Sequence, residues 1–128
     1  MNMLTLDRTP LDAAEILLTG LPIPPSMNNA YPTGKNGHRF KSDRLTKWAR
    51  ACGWQINAQR QRPVKGPVSI TYTFEDGGSK ADLGNLEKAA TDLLVELQLI
   101  EGDSPKFVRS IRLQWGQVEG MQIEVRAA

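Results

Sequence analysis

Residues 68–75, VSITYTFE, set the terms for the fold. Val68, Ile70, Tyr72 and Phe74 alternate with Ser69, Thr71, Thr73 and Glu75, the period of a strand with one apolar face. Such a face has to be covered by a second layer. Two stretches are patterned to cover it. Leu83, Leu86, Ala90, Leu93, Leu94 and Leu97 recur at helical steps and predict an amphipathic helix over about 83–97. Asp82, Asn85, Lys88 and Asp92 fall on roughly its opposite face. Leu45, Trp48, Ala49, Cys52 and Ile56 predict an earlier helix, capped by Ser42 or Asp43. It runs to about Gln61, and Pro63 stops it. Gly53 inside it costs ~1 kcal/mol. A short apolar strand at 15–21, a strand at 107–115 and a last strand at 121–125 complete the elements. Residues 116–120 read as a hairpin-like connection. The order is β-α-β-α-β-β. It suits an α+β domain with two helices on one face of a mixed or antiparallel sheet.

At 128 residues the chain is expected to be one domain, 14–128, after a flexible N-terminal extension at 1–13. The single cysteine, Cys52, excludes an intrachain disulfide and a cysteine-based zinc site. It reads as a buried small hydrophobe rather than a nucleophile. One histidine, His38, leaves no histidine-based metal site and no Ser-His-Asp triad within one chain. No apolar run approaches the roughly 20 residues that span a membrane. No signal peptide is read at the N-terminus, so a cytoplasmic location is expected.

Charge is unevenly placed. Residues 34–65 hold nine basic side chains against one acid, a net of +8, while the other residues hold seven against thirteen, a net of −6. A basic segment of this kind suggests a polyanionic partner, most simply nucleic acid. The plain alternative is a solvated helix face. Asn28 and Asn29, in a polar turn after a proline-rich stretch, read as turn residues that can also hydrogen-bond a phosphate.

The chemistry-bearing residues lie between Lys80 and Asp103. Singly, none compels a functional reading: Asp82 reads as a helix N-cap, Asp103 as a turn residue, and Lys88 as an exposed charge paired with Asp92. Together they are more informative. Two carboxylates a few ångströms apart repel unless a cation lies between them. Mg²⁺ takes one or two carboxylates and completes its shell with water and phosphate oxygens. A lysine beside it adds a point charge to the phosphate.

These residues resemble the RusA family of Holliday-junction resolvases, endonucleases of bacteria and their phages. Leu21-Pro22-Ile23-Pro24-Pro25-Ser26-Met27-Asn28-Asn29 matches that family's LPxPPSxN opening. Asp82-Leu83-Gly84-Asn85-Leu86-Glu87-Lys88-Ala89 with Asp92 matches its D-x-D-N-x-x-K-x-x-x-D core, and Asp103 stands at its spacing for a further acid. The resemblance covers about residues 16–126. It implies a RusA-like homodimer that nicks four-way DNA junctions symmetrically with Mg²⁺ or Mn²⁺, in DNA recombination and repair. It makes Asp82 and Asp103 metal ligands and Asp82, Lys88 and Asp103 the catalytic group, with Asn85 orienting the first acid. Asn28, Asn29, Lys35, Arg39, Lys41, Arg44 and Lys80 then become the DNA-binding residues. The expected setting is the cytoplasm of a bacterium or a phage-infected cell.

Two positions depart from the pattern. The family's second acid is Gly84 here, so Glu75, Asp76 or Glu101 has to replace it, or an extra water does. Ala81 stands where family members commonly carry a basic residue, and Lys80 is the neighbour that can take over. Gly84 therefore keeps open a second reading, a junction- or branched-DNA-binding relative that does not cut. A third is a small interaction domain whose basic helix binds an acidic protein. Trp48 and Trp115 lie on apolar faces and read as core, while Trp54 lies off that face.

Overall fold

A computed structural model describes residues 14–26 and 43–128 of the chain. The extension expected at 1–13, and Asn28, Asn29, Lys35, Arg39 and Lys41, lie outside these residues. The elements are β1 (Ile16–Leu21), α1 (Asp43–Ala58), β2 (Val68–Glu75), α2 (Gly84–Glu96), β3 (Val108–Gly116) and β4 (Met121–Ala127). This is the expected β-α-β-α-β-β order, and the fold is α+β as expected. The four strands form one mixed sheet in the order β1-β4-β2-β3.

The alternation in β2 does what its period demands. Val68, Ile70, Tyr72 and Phe74 are buried, together with Ile16, Leu18 and Leu21 of β1 and Met121, Ile123 and Val125 of β4. Leu45, Trp48, Cys52 and Ile56 of α1 and Leu86, Ala90, Leu93 and Leu94 of α2 complete the same core. The other face of the sheet carries polar rungs: Ser110 donates to Ser69 (2.8 Å) and Gln114 donates to Thr73 (2.9 Å). Burial pushes the Cys52 thiol up to about 12, which suits an inert packing residue. Gly53 is buried within an uninterrupted α1.

α2 carries the chain from the end of β2 back to the start of β3, and the two strands pair in parallel, as a helical crossover requires. β4 is antiparallel to β2 on its other side and antiparallel to β1. β2 therefore lies between β3 and β4, and the expected hairpin-like connection is corrected. Residues 117–120 cross the end of β2 instead. Glu75 holds them there: its N–H donates to the Gly120 carbonyl (2.7 Å) and its carboxylate accepts from the Gly120 N–H (2.8 Å). Gly120 has φ +63°, and a Cβ on it would lie 2.1 Å from the Leu21 carbonyl oxygen. Only glycine fits this crossing.

α1 ends at Ala58, three residues short of the expected stop. Arg60 turns left-handed (φ 51°), and the glutamines around it face β1. Gln59 accepts from the Thr19 N–H (3.0 Å) and donates to the Thr19 carbonyl (2.8 Å), while Gln61 accepts from the Leu17 N–H (3.1 Å). The two side-chain amides stand in for a neighbouring strand and blunt that sheet edge. The Trp48 indole N–H donates to the Pro22 carbonyl (2.8 Å), tying the proline-rich segment after β1 to α1.

Candidate nuclease site

α2 opens without the cap expected of Asp82. The N-cap residue is Leu83, which is itself helical and makes no side-chain cap hydrogen bond. Asp82 serves the helix only through its backbone carbonyl, which accepts from the Asn85 N–H (2.9 Å). Its carboxylate is exposed and not used in capping. No side-chain hydrogen bond joins Asn85 to Asp82 among the described residues, so their link is this backbone turn.

One and two turns further along, the helix meets the loop that follows it. The Lys88 ammonium lies 2.9 Å from an Asp92 carboxylate oxygen and 3.0 Å from Asp103 Oδ2. The first contact follows from helical spacing: residues four apart share a face. The second follows from the way the loop is held. After α2 the chain turns at Gln98, which is left-handed (φ 62°), and buries Leu99 and Ile100. The Leu99 carbonyl accepts from the Val64 N–H (2.9 Å), and the Glu101 carboxylate accepts from the Gly66 N–H (2.7 Å). Gly102 passes the Phe107 ring so closely that a Cβ would lie 2.9 Å from it. The Ser104 carbonyl then accepts from the N–H groups of Phe107 and Val108 (2.9 Å each). Asp103 stands between these anchors and points at Lys88.

The charges reinforce one another. The hydrogen bonds that Lys88 donates to Asp92 and then to Asp103 hold its ammonium well above the usual lysine range. The hydrogen bond from Lys88 holds the Asp103 carboxyl below the usual carboxylate range. Lys88 is thus a permanent cation and Asp103 a permanent anion at neutral pH. Lysine has three donors and no acceptor, so one ammonium serves two carboxylates at once.

A buried chain of hydroxyls fixes this stretch of α2 to the sheet. Tyr72 and Thr91 share a hydrogen bond (2.6 Å), and the Thr91 hydroxyl donates to the Glu87 carboxylate. Burial pushes the Tyr72 phenol far up, so it stays neutral and hydrogen-bonded. Sequence patterning gives Thr91 no sign of this role, because its signal is only a threonine on an otherwise apolar helix face.

Of the expected DNA-binding residues inside the described part, Arg44 and Lys80 are both exposed and line one cleft, with Pro24, Pro25 and Trp48 forming part of its wall. The first turn of α1, the proline-rich segment and the loop before α2 meet there. Trp48 is buried as expected and Trp115 packs on Phe74 (centroids 6.0 Å apart), whereas Trp54 is 75% exposed.

Among the described residues no three Asp, Glu, His or Cys side chains come together as an ion cage. Asp82 and Asp103 offer two exposed, hard oxygen donors. Carboxylates of this kind suit Mg²⁺, which completes its shell with water and phosphate oxygens. At Gly84 a Cβ would meet nothing within 4 Å, so the place of the missing acid is open space. Of its candidate replacements, Glu75 is engaged by Gly120 and Glu101 by Gly66, while Asp76 is exposed in the turn after β2. Asp92, which shares Lys88 with Asp103, is the further acid brought to the site.

No curated protein sequence matches the chain. Among the described residues no helix is long and apolar enough to cross a membrane. The family model of Endodeoxyribonuclease RusA matches residues 22–126, from the proline-rich segment through β4. With that match over most of its length, the chain belongs to the RusA family of endodeoxyribonucleases.

Proposed function

We propose that the protein is a divalent-metal-dependent endonuclease that resolves four-way DNA junctions by paired, symmetric nicks. The observation that supports this most is the 3.0 Å approach of Lys88 to Asp103, two residues that the family pattern makes catalytic and that lie on separate elements. Asp82 and Asp103 hold Mg²⁺ or Mn²⁺. When bound, the ion orients water and stabilises charge on the reacting phosphate. Lys88 places its ammonium against a nonbridging oxygen or the leaving oxygen. Arg44 and Lys80 grip the backbone across their shared cleft, and Asn28, Asn29, Lys35, Arg39 and Lys41 are further DNA-binding residues. These contacts supply affinity by releasing counterions, while selectivity comes from junction shape.

The nuclease domain is residues 14–128, with 1–13 as an extension, in the cytoplasm of a bacterium or a phage-infected cell. It works as a homodimer, since a two-fold enzyme places one site on each of two symmetry-related strands. The second reading is a relative that binds branched DNA without cutting it. Gly84, which stands where the family carries its second acid, favours that reading.

A synthetic four-way junction incubated with Mg²⁺, Mn²⁺ or EDTA, beside linear duplex, decides between the two. Paired metal-dependent nicks on the junction alone establish the resolvase. Junction binding without nicks in either metal establishes the binding-only relative. Neither binding nor nicking removes both.

A further inference from the structure

Lys88 has two carboxylate partners, and only one of them is needed elsewhere. On the nuclease reading above, Asp103 has to turn its oxygens to the metal ion. Lys88 competes with that ion for the same carboxylate. A lysine that lost Asp103 and had no other partner would be free to swing on a stem with four rotatable bonds. Its ammonium would then leave the phosphate it is meant to face.

Asp92 removes that difficulty. It lies four residues after Lys88 on the same helix, and its carboxylate is 2.9 Å from the ammonium. Asp103 reaches the same ammonium from the loop after the helix. The Asp92 contact therefore does not depend on where the loop sits. Asp92 also lines a small cavity between the two helices with Leu45, Trp48 and Leu93. Its backbone belongs to the turn that the Tyr72–Thr91 hydrogen bond pins to the sheet.

We propose that Asp92 is a positioning residue, which holds the Lys88 ammonium in place when Asp103 is drawn to the metal. Asp92 acts through Lys88 and is not itself a ligand of the ion. An exposed ion pair of this kind contributes little to stability, so variants at Asp92 are expected to fold.

Two measurements test the proposal. The first needs neither metal nor DNA. Asp103→Asn takes the carboxylate away from Lys88 as the metal would. In nitrogen-15 NMR spectra of lysine ammonium groups, the Lys88 signal, assigned by its loss in Lys88→Arg, is expected to persist in Asp103→Asn. It is expected to vanish in Asp92→Asn/Asp103→Asn. Equal signals in the two variants overturn the proposal.

The second measurement is junction cleavage at saturating metal. Asp92→Asn is expected to lower kcat about ten- to hundredfold with junction affinity unchanged. Asp92→Glu, which keeps the charge, is expected to recover much of the loss. An unchanged kcat overturns the proposal. So does a variant that needs more metal but reaches the wild-type rate, because Asp92 would then be a ligand. If the wild type does not cut any junction, the nuclease reading fails in this second measurement, while the spectra still report whether Asp92 holds Lys88.

Discussion

Each acid at this site is used differently. Asp82 neither caps α2 nor enters an ion pair among the described residues, so its charge is available to a cation. Asp82→Asn is expected to abolish cleavage while keeping or tightening junction binding, because a negative charge near phosphate is gone; gel assays of both properties check it. Gly84 is the converse case, with open space where the family carries an acid. Gly84→Asp is expected to lower, several-fold, the Mg²⁺ concentration for half-maximal cleavage, and a metal titration of the rate reads this. A negative side chain at the first helical residue also suits the helix dipole, so no loss of stability is expected. Asp103 is the acid whose charge the fold already uses. Its pKa is depressed by Lys88, so the stability it contributes is present above the ordinary carboxylate range. That contribution is lost as pH falls through the depressed value. A carboxyl-carbon NMR titration is expected to place the Asp103 midpoint below that of an unpaired aspartate, and Lys88→Met should return it to the ordinary range.

The end of α2 shows how an element is stopped when the usual residue is missing. Leu97 caps the helix, and Gln98 follows in the left-handed conformation that glycine adopts without strain. Gln98→Gly is expected to raise stability by roughly 0.5–1 kcal/mol, since the relief of strain exceeds the added freedom of the unfolded chain. Denaturant midpoints measure it. This turn also shows what could be read from residues alone. The alternation of Val68–Phe74 and the helical steps of Leu83–Leu97 report which face is buried, and β2 and α2 follow from them. A periodic pattern does not name its partner strand, which is why β4 was expected beside β3 and lies across β2 instead. Nor does spacing bring Asp103 to Lys88. That contact depends on Val64, Gly66 and Phe107, which hold the loop from outside the motif. The lack of an Asp82 cap was likewise invisible, because Asp before a helix carries the same signal whether or not it bonds to it.

At the scale of the whole molecule, the candidate site spans one crossover, while the sheet beneath it draws on both ends of the described chain. β2 pairs with β3 on one side and β4 on the other, and β1 reaches the sheet only through β4. Removing 121–127 would leave β1 with no strand to pair with and strip Met121, Ile123 and Val125 from the core. Such a shortened chain is expected to lose cooperative unfolding altogether, as followed by circular dichroism, although it retains Asp82, Lys88, Asp92 and Asp103.

That dependence has a consequence in time. A ribosome releases Asp82, Lys88, Asp92 and Asp103 before it releases β4. During that interval the growing chain carries the residues of the proposed cutting site without the strand that joins β1 to β2. The proposed nuclease is therefore expected to be inactive while it is being made. It becomes competent only when its last strand slides between the first and the second.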